Sequence, residues 1–556
     1  MVALLVVANV AAFADIATTP TGTVTITGLE SGDTVTLYKI VGWDSTASDW
    51  AIDSELSIDG ITTVNGLLPL DNEKAGKISA AALAAVTAAA ADSEDTLVYA
   101  PAGSGNANSD GEFTATKEVG MYLALVQTST ANVYNPMFVS VNFTNPTTGE
   151  GGSVAADSTL LGTGSTAIAK KQNVELEKEV DTAAPGYSDV TDPADAKKAI
   201  KVGDTIPYVV TTNTPNYGAN YTNPVFRLTD TLSDGLTLTE AQQAAITVYC
   251  GETPLDKKSG DEDTEYDYAV VPSESGYTIT FSAAYLKSVK ANTAITVKYT
   301  ATVNAKAVMH QVERYTNDVD LVFSNSPTTE YDSLHDKTNH YTFSIDAYLT
   351  GESGGEGSRI TRELVKVGVD QDGNVLTQWV TDNEESWTWG TGVQALQGAT
   401  FTLTRSDGVV YNATSDENGY ITFTGLDAAS YTLNETSAPA GYKFDTRDIP
   451  VVISATYWGG REGQGTHADD ELYSYSITVD GTATSTYVAT NDGTYNVTAQ
   501  EVEENTNITF PINNVKGLTL PSTGGIGTTL FYVGGGILIV LAAVLLVTKR
   551  RMGSND

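Results

Sequence analysis

The sequence predicts an all-β protein built of tandem antiparallel sandwiches, followed by one apolar helix near the C-terminal end. Three observations support this fold class. Short segments of alternating apolar and polar residues recur between Gly- and Asp-rich turns, a pattern typical of half-buried sandwich strands. A length of 556 residues exceeds what one hydrophobic core can hold. Two Gly-rich stretches, 149–167 and 351–358, have the composition of linkers between domains.

The composition excludes several classes of protein. Asp and Glu number 69 against 30 Lys and Arg, which gives a formal net charge of −39. Such a surface repels nucleic acid, so we expect no nucleic-acid partner. With 28 Tyr and 41% hydrophobic residues, the chain is too apolar for a disordered acidic protein. Cys250 is the single cysteine, so no intrachain disulfide can stabilise the fold.

The first 14 residues, MVALLVVANVAAFA, predict a signal peptide. Ala12-Phe13-Ala14 is an A-x-A-like cleavage site before Asp15, and the apolar run is too short to span a membrane. No basic residue precedes the run, which points to a truncated start.

Residues 15–150 predict a β domain with one helix. Strands are expected in TVTITGL, in DTVTLYKIVGW and across 112–143, including GMYLALVQ. The segment SAAALAAVTAAAA at 79–91 predicts the helix, with Ser79 as its N-cap.

Two further β domains are predicted after the first linker. The middle domain, 168–350, carries strand candidates such as VELEKEV, TIPYVVTT, PVFRLTDTL and AITVKYTATV. The third domain, 359–517, opens with RELVKVGVD and closes with NITFPINNVKG. Both domains show the strand spacing of antiparallel sandwiches.

The C-terminal end combines a pentapeptide, an apolar run and a basic tail. The run from Ile526 to Val547 is long enough to cross a hydrocarbon core of about 30 Å, so we expect a transmembrane helix over 526–548. The basic cluster KRR at 549–551 stays on the cytoplasmic side, which places the bulk of the chain outside. The pentapeptide just outside this span consists of Leu520, Pro521, Ser522, Thr523 and Gly524.

This arrangement resembles the LPxTG cell-wall sorting signal of Gram-positive surface proteins. The resemblance implies that a sortase cysteine attacks the Thr523–Gly524 bond and passes the threonyl carbonyl to an amine. It also implies peptidoglycan attachment at the cell surface. The alternative is an ordinary tail anchor that contains LPSTG by chance.

The third domain contains YTLNETSAPAGY at 431–442, with GATFTL and DENGYITFTGL upstream. This segment resembles the YxLxETxAPxGY box of Cna B-type domains, which are immunoglobulin-like sandwiches of Gram-positive adhesins and pilins. In that family a glutamate promotes a spontaneous amide bond between a lysine on the first strand and an asparagine on the last. The resemblance assigns these roles to Glu435, Lys366 and Asn514. Asn513 remains an alternative to Asn514, and a plain Lys366–Glu435 salt bridge remains an alternative to the bond.

These residue types suit the reaction. Burial in an apolar core lowers the pKa of a lysine and favours the nucleophilic neutral amine. The same burial raises the pKa of a carboxyl group, which can then polarise the asparagine amide and transfer protons. A sandwich that holds the groups together supplies the high effective molarity that an unactivated amide requires.

The middle domain offers a second set of residues. VGDTIPYVV and LTDTLSDGLTL resemble the middle domain of SpaA-type backbone pilins, in which an aspartate replaces the glutamate. The resemblance implies a bond between Lys178 and Asn317, promoted by Asp230. The alternative is a solvated strand lysine and a turn aspartate. We find no equivalent set within 15–150.

Pilus polymerisation requires one more lysine, which attacks the acyl-enzyme formed on the preceding subunit. Backbone pilins carry it in a VYPK-type motif at the end of the first domain, and this sequence lacks that motif. Lys170 and Lys171 are our candidates, with two solvated linker lysines as the alternative.

We expect no enzyme activity, no metal and no cofactor. Asp370-Gln371-Asp372 lacks the spaced ligands of a calcium loop, and the four histidines lack metal-site spacing. No GxSxG, phosphate loop or Cys/His pairing is present.

The expected function is that of a structural subunit of a covalent pilus, polymerised and wall-anchored by sortase. The expected partners are sortase, neighbouring pilin subunits and peptidoglycan. The alternative is a monomeric wall-anchored adhesin, or minor pilin, that binds a host or dietary ligand. A surface hydrolase has no catalytic residues to support it.

Overall fold

The computed structural model describes residues 21–44, 46, 49–67, 70–91, 101–141, 164–185, 198–217, 221, 223–306, 312–325, 331–346, 363–369, 380–381, 387–388, 394–443, 445–489, 497–498, 510–517 and 526–552. The predicted signal peptide, the linker at 351–358 and the LPSTG pentapeptide lie outside these residues. The chain divides into two compact units, with the main boundary at residues 340–341. The division into three domains therefore stays a prediction.

The N-terminal part of the first unit is mostly β. Its elements in chain order are β1 Thr21–Thr27, β2 Thr34–Asp44, β3 Asp49–Ile52, α1 Val64–Leu67, α2 Asn72–Ala91, β4 Gly103–Asn106, β5 Phe113–Glu118, β6 Gly120–Gln127, β7 Asn132–Tyr134, β8 Met137–Val141, β9 Thr166–Ile168 and β10 Lys171–Asn173. The strands form sheets in the orders β3-β2-β6-β8, with β4 also on β2, then β5-β1-β9, and β10-β7. Apolar residues of these strands form one core cluster. The first seven residues of β6 are all buried.

The helix α2 begins seven residues before the predicted start, so Ser79 is not its N-cap. Asp71 fills that role, because its Oδ1 accepts the Lys74 N–H at 2.8 Å. Ser79 is buried inside the helix and donates to the Ala75 carbonyl oxygen at 2.8 Å. The segment NEKAGKI before Ser79 continues the helix because most of its residues are good helix formers.

The remainder of the first unit is a two-sheet sandwich. Its elements are β11 Leu176–Val180, β12 Thr205–Thr214, β13 Phe226–Leu232, β14 Leu236–Thr237, α3 Glu240–Ala244, β15 Thr247–Cys250, β16 Thr253–Pro254, β17 Tyr268–Ser273, β18 Gly276–Phe281, α4 Ala283–Ser288, β19 Thr293–Val303, β20 Val312–Ser324 and β21 Tyr331–Ile345. The start of β20, up to Arg314, and the end of β21, from Tyr341, are assigned to the second unit. One sheet has the order β11-β12-β19-β15-β16, with β14 also on β19, and the other contains β17-β18-β13-β20-β21. Alternate residues of β19 are buried, as expected for a strand with one face on the core.

The second unit contains the last strands and the C-terminal helix. Its elements are β22 Leu364–Val369, β23 Val380–Thr381, β24 Trp387–Thr388, β25 Gln394–Ala395, β26 Thr400–Arg405, β27 Val410–Thr414, β28 Phe423–Leu426, β29 Ser430–Ser437, β30 Ile449–Tyr457, β31 Leu472–Val479, β32 Thr482–Ala489, β33 Val497–Thr498, β34 Phe510–Val515 and α5 Ile526–Met552. A seven-stranded sheet has the order β27-β26-β29-β30-β31-β32-β33, and a three-stranded sheet has the order β25-β22-β34. The first and last of the long strands, β22 and β34, are parallel neighbours.

The all-β prediction is confirmed. In the second unit, the core is formed by apolar residues of both sheets, including Leu364, Phe401, Leu433 and Ile512. The helix α5 contains a segment, Phe531–Arg551, long and apolar enough to span a membrane, and Lys549, Arg550 and Arg551 lie in its last turn. This agrees with the predicted sorting-signal span.

Candidate functional site

The second unit brings together the three residues of the predicted set. Lys366 lies on β22, Glu435 on β29 and Asn514 on β34. Lys366 Nζ donates to Glu435 Oε2 at 3.1 Å, and Asn514 Nδ2 donates to the same oxygen at 2.8 Å. The Lys366 and Asn514 residues are fully buried and Glu435 is 7% exposed. One carboxylate oxygen therefore contacts both the amine and the amide.

Strand register determines which asparagine enters the cluster. In the parallel pair, Lys366 is opposite Ile512 and Gly368 is opposite Asn514. Asn514 therefore lies two residues beyond the Lys366 level, on the same side of the sheet. Asn513 points to the other side and is not fully buried. The structure thus places Asn514, and not Asn513, beside Lys366 and Glu435.

The backbone of Lys366 lies very close to the backbone of Gly419. The Lys366 N–H donates to the Gly419 carbonyl oxygen at 2.7 Å. Gly419 has a φ of +79°, and a Cβ atom there would lie 2.5 Å from the Lys366 carbonyl oxygen. A glycine is therefore required at 419 for β22 to sit at this depth.

The electrostatics of this cluster favour a reactive amine. Burial lowers the pKa of Lys366 from 10.5 to about 8, although the Glu435 carboxylate acts in the opposite direction. The Asp445 N–H donates to Glu435 Oε2 at 2.6 Å. Glu435 Oε1 and Asn514 Oδ1 are buried and accept no hydrogen bond from the described residues. A proton on Oε1 would give this carboxyl group a donor with which to polarise the amide.

The first unit contains the other predicted set. Lys178 lies on β11 of one sheet, whereas Asp230 on β13 and Asn317 on β20 belong to the facing sheet. Lys178 Nζ donates to Asp230 Oδ2 at 2.5 Å and to Asn317 Oδ1 at 2.7 Å. The side chains of Lys178 and Asp230 are fully buried, and so is the Asn317 residue. The solvated lysine and turn aspartate of the alternative interpretation are therefore excluded.

Burial perturbs both charged groups of this cluster. Desolvation lowers the pKa of Lys178, and the ion pair with Asp230 opposes it. Desolvation likewise raises the pKa of Asp230, against the effect of Lys178 and of two tyrosine hydroxyl groups. Both shifts favour the neutral amine and the neutral acid over the ion pair.

Aromatic side chains surround the second set of reacting groups, and no sequence motif predicted them. Tyr299 donates its hydroxyl proton to Asp230 Oδ2 at 2.7 Å and accepts a hydrogen bond from Asn317 Nδ2 at 2.7 Å. Tyr277 lies 3.4 Å from the same aspartate oxygen. The alternation in AITVKYTATV could have indicated an inward Tyr299, but not which residues it meets across the sandwich.

The candidate polymerising lysines lie apart from these clusters. Lys170 and Lys171 are both exposed, and Lys171 forms an ion pair with Glu30. The Lys170 side chain makes no hydrogen bond or ion pair with the residues that the structure describes. The LPSTG pentapeptide, residues 520–524, precedes α5 in the sequence and lies outside the described residues.

Three families match separate parts of the chain. The Gram-positive pilin backbone subunit 2, Cna-B-like domain, matches residues 202–327, which include Asp230 and Asn317. The SpaA prealbumin-like fold domain matches residues 390–459, which include Glu435. The LPXTG cell wall anchor motif matches residues 513–552.

A curated relative matches nearly the whole chain. It is the trypsin-resistant surface T6 protein of Streptococcus pyogenes serotype M6, which is 25% identical over 95% of this chain and 94% of its own length. The chain is therefore similar over most of its length to a streptococcal surface protein, and it matches the models of a pilin backbone domain and of a cell-wall anchor. It is a surface protein with a cell-wall anchor of the sortase type and is a structural subunit of a sortase-polymerised pilus.

A solved structure shows the same fold. The T6 backbone pilin of serotype M6 S. pyogenes, described as a modular three-domain structure, superposes on the pilin with a TM-score of 0.56. The two chains are 18% identical, and the superposition covers 90% of this chain and 100% of the T6 pilin chain. The full-length major pilin SpaD of Corynebacterium diphtheriae is also similar, with a TM-score of 0.43, 15% identity and coverage of 90% and 99%.

Proposed function

We propose that this pilin reinforces the pilus shaft with two autocatalytic isopeptide bonds, Lys178–Asn317 and Lys366–Asn514. The observation that carries the proposal is the pair of buried clusters, each of which joins a lysine, a carboxyl group and an asparagine from three separate strands. Burying an ion pair costs desolvation free energy that its own attraction does not always offset. A chemical role for the buried groups is therefore a better explanation than stabilisation. In each cluster, the lysine lies at the start of a sandwich and the asparagine on one of its later strands.

The chemical step balances within each cluster. The neutral lysine Nζ attacks the asparagine Cγ, the Nζ–Cγ bond forms, and the Cγ–Nδ2 bond breaks. Nζ loses one proton to the carboxylate, and the departing nitrogen gains one from the carboxyl group, so ammonia leaves and the acid is regenerated. Asp230 and Glu435 act as the proton-transfer groups. The fold supplies the proximity that an unactivated amide requires.

Sortase chemistry supplies the bonds between subunits. In this proposal, sortase cleaves between Thr523 and Gly524 and transfers the threonyl group to Lys170 or Lys171 of the next subunit. The last subunit is transferred to peptidoglycan. Three domains, 15–150, 168–350 and 359–517, form the exported part, which acts structurally and not as an enzyme.

The test is the intact mass of recombinant residues 15–519, followed by peptide mapping. Loss of two ammonia masses, mapped to Lys178–Asn317 and Lys366–Asn514, is the expected result. Full mass at both sites would refute the proposal and leave a wall-anchored β protein.

A monomeric adhesin that binds a host or dietary ligand is the second candidate, favoured by the missing VYPK motif. Denaturing gels of the cell-wall fraction separate the two candidates. A ladder of high-mass species supports the pilus subunit, whereas a single band supports the adhesin.

A further inference from the structure

The two clusters differ in how the carboxyl group contacts the asparagine nitrogen that must leave. In the second unit, Glu435 Oε2 contacts Asn514 Nδ2 directly at 2.8 Å. In the first unit, the Asp230 side chain is one methylene shorter. Among the described residues, no hydrogen bond joins Asp230 to Asn317.

The Tyr299 hydroxyl group fills this gap. It lies 2.7 Å from Asp230 Oδ2 and 2.7 Å from Asn317 Nδ2, so a continuous chain of hydrogen bonds runs from the acid to the amide nitrogen. Both contacts have the length of good hydrogen bonds. The Lys178 amine contacts the opposite end of the amide, at Asn317 Oδ1.

Packing holds the Tyr299 ring in place. Its ring stacks on Tyr208 with centroids 5.2 Å apart, and Tyr277 meets it edge-on at 5.1 Å. Tyr299 is 4% exposed, so water cannot readily replace its hydroxyl group. Burial raises the pKa of Tyr299 well above its usual value. The group therefore stays protonated and can transfer a proton only while it accepts another.

We propose that Tyr299 is a catalytic residue of the Lys178–Asn317 reaction and relays a proton from Asp230 to the departing asparagine nitrogen. This inference rests on the proposed function and adds a third proton-transfer group to one of the two sites. As the tetrahedral intermediate forms, Asn317 Nδ2 loses amide resonance and gains a lone pair that can accept the Tyr299 proton.

The relay conserves every proton. Asp230 in its acid form donates to the Tyr299 oxygen while the Tyr299 proton passes to Nδ2. The resulting Asp230 carboxylate takes the proton that Lys178 Nζ releases. Ammonia departs, the amide bond remains, and both Tyr299 and Asp230 return to their starting forms.

The test is a time course of both bonds in the full chain. The chain is made by pulse-labelled cell-free synthesis, chased, quenched in acid and mapped by mass spectrometry. We expect Tyr299→Phe to slow Lys178–Asn317 formation on the order of 10²-fold, the usual scale for loss of one acid–base group. Lys366–Asn514 should form at the wild-type rate and serves as an internal clock.

Tyr217→Phe is the matched control, because Tyr217 is buried in the same unit and, among the described residues, its hydroxyl group donates only to the backbone carbonyl oxygens of Ser324 and Val225. It should leave both rates unchanged. Equal Lys178–Asn317 rates in Tyr299→Phe and wild type would overturn the relay while leaving the proposed bond intact. Absence of that bond in the wild type would instead refute the proposed function at this site.

A measurement on the wild type covers the case in which Tyr299→Phe does not fold. Proton transfer through an extra hydroxyl group predicts a larger solvent deuterium isotope effect on Lys178–Asn317 formation than on Lys366–Asn514 formation. Equal isotope effects for the two bonds would also overturn the relay.

Discussion

Lys366 and Asn514 lie on adjacent parallel strands, and Asn514 is two residues beyond Ile512, which is the residue opposite Lys366. The two side chains therefore share the buried side of the sheet, where Glu435 contacts both. Since β22 and β34 are the first and last described strands of the predicted domain 359–517, a bond here would close that domain covalently.

This register predicts that Asn514 and Asn513 differ in their roles. Asn514→Ala should abolish the cross-link to Lys366, because it removes the amide that Lys366 attacks. Asn513→Ala, the matched control on the other side of the same strand, should leave it intact. Intact mass and peptide mapping distinguish the variants. A bond that survives Asn514→Ala and is lost in Asn513→Ala would show that the register is wrong.

The two bonds should form independently, because each cluster has its own acid. Glu435→Ala should abolish only Lys366–Asn514, and Asp230→Ala should abolish only Lys178–Asn317. Each variant should therefore lose one ammonia mass where the wild type loses two. If either variant lost both bonds while remaining folded, the two reactions would not be separate.

Removing one bond should lower stability substantially. The double variant Lys366→Met/Glu435→Gln removes the buried charges together with the bond, so little penalty for an unpaired charge remains. By analogy with a disulfide, we expect the second unit to lose ~2–5 kcal/mol in free energy of unfolding. Denaturant unfolding, monitored in the unit that carries the substitutions, measures the loss.

The control for this experiment is Lys39→Met/Glu118→Gln. It removes an ion pair of 2.9 Å whose glutamate side chain is 54% exposed. Such pairs contribute up to about 1 kcal/mol. Similar losses in the two double variants would contradict a covalent contribution at Lys366.

Lys366 should make the free energy of unfolding of the second unit depend on pH only while its amine is free. With Lys366 unlinked, burial lowers its folded-state pKa from 10.5 to about 8, and we expect the same direction of shift in Asn514→Ala. Between these values the unfolded chain binds a proton that the folded chain does not, so stability rises as pH increases from about 8 to about 10.5. Below about pH 8 both states are protonated and the full cost of burying the charge remains.

The cross-linked wild type has an amide at this position and should lack this rise. Denaturant unfolding across the alkaline range compares the two proteins, and Lys366→Met/Asn514→Ala is the control without a titrating amine. Parallel pH curves for Asn514→Ala and this control would show that Lys366 does not titrate as described.

One of two adjacent lysines should link the subunits. We expect Lys170→Arg or Lys171→Arg to abolish the high-mass ladder on denaturing gels, because arginine keeps the charge but is a poor nucleophile. The other substitution should leave the ladder unchanged. Lys170 and Lys171 are exposed and lie outside both buried clusters, so both arginine variants should keep the two internal cross-links. A ladder that persists in the double variant would exclude both lysines.

The sequence predicted the members of both clusters because each lies in a motif with a family resemblance. It could not separate Asn513 from Asn514, since that choice depends on the register of β34 against β22. It also missed Tyr299, which meets Asp230 only because β19 and β13 face each other across the sandwich. Contacts between sheets depend on long-range packing that local alternation does not encode.

The start of α2 was missed for a local reason. The Ala-rich run at 79–91 gave the strongest helical signal, and Ser79 at its edge is a favoured cap residue. The polar turn before it has comparable helix propensity, and Asp71 provides the cap.

The parallel pairing of β22 and β34 has a mechanical consequence. When the second unit is pulled by its two ends, these neighbouring strands slide along each other in shear, and their hydrogen bonds are loaded together. With Lys366 joined to Asn514, force would enter along β22, cross one amide and leave along β34. The strands from β23 to β33 would then bear no load, so the unit could not lengthen by releasing the chain stored between the joined residues.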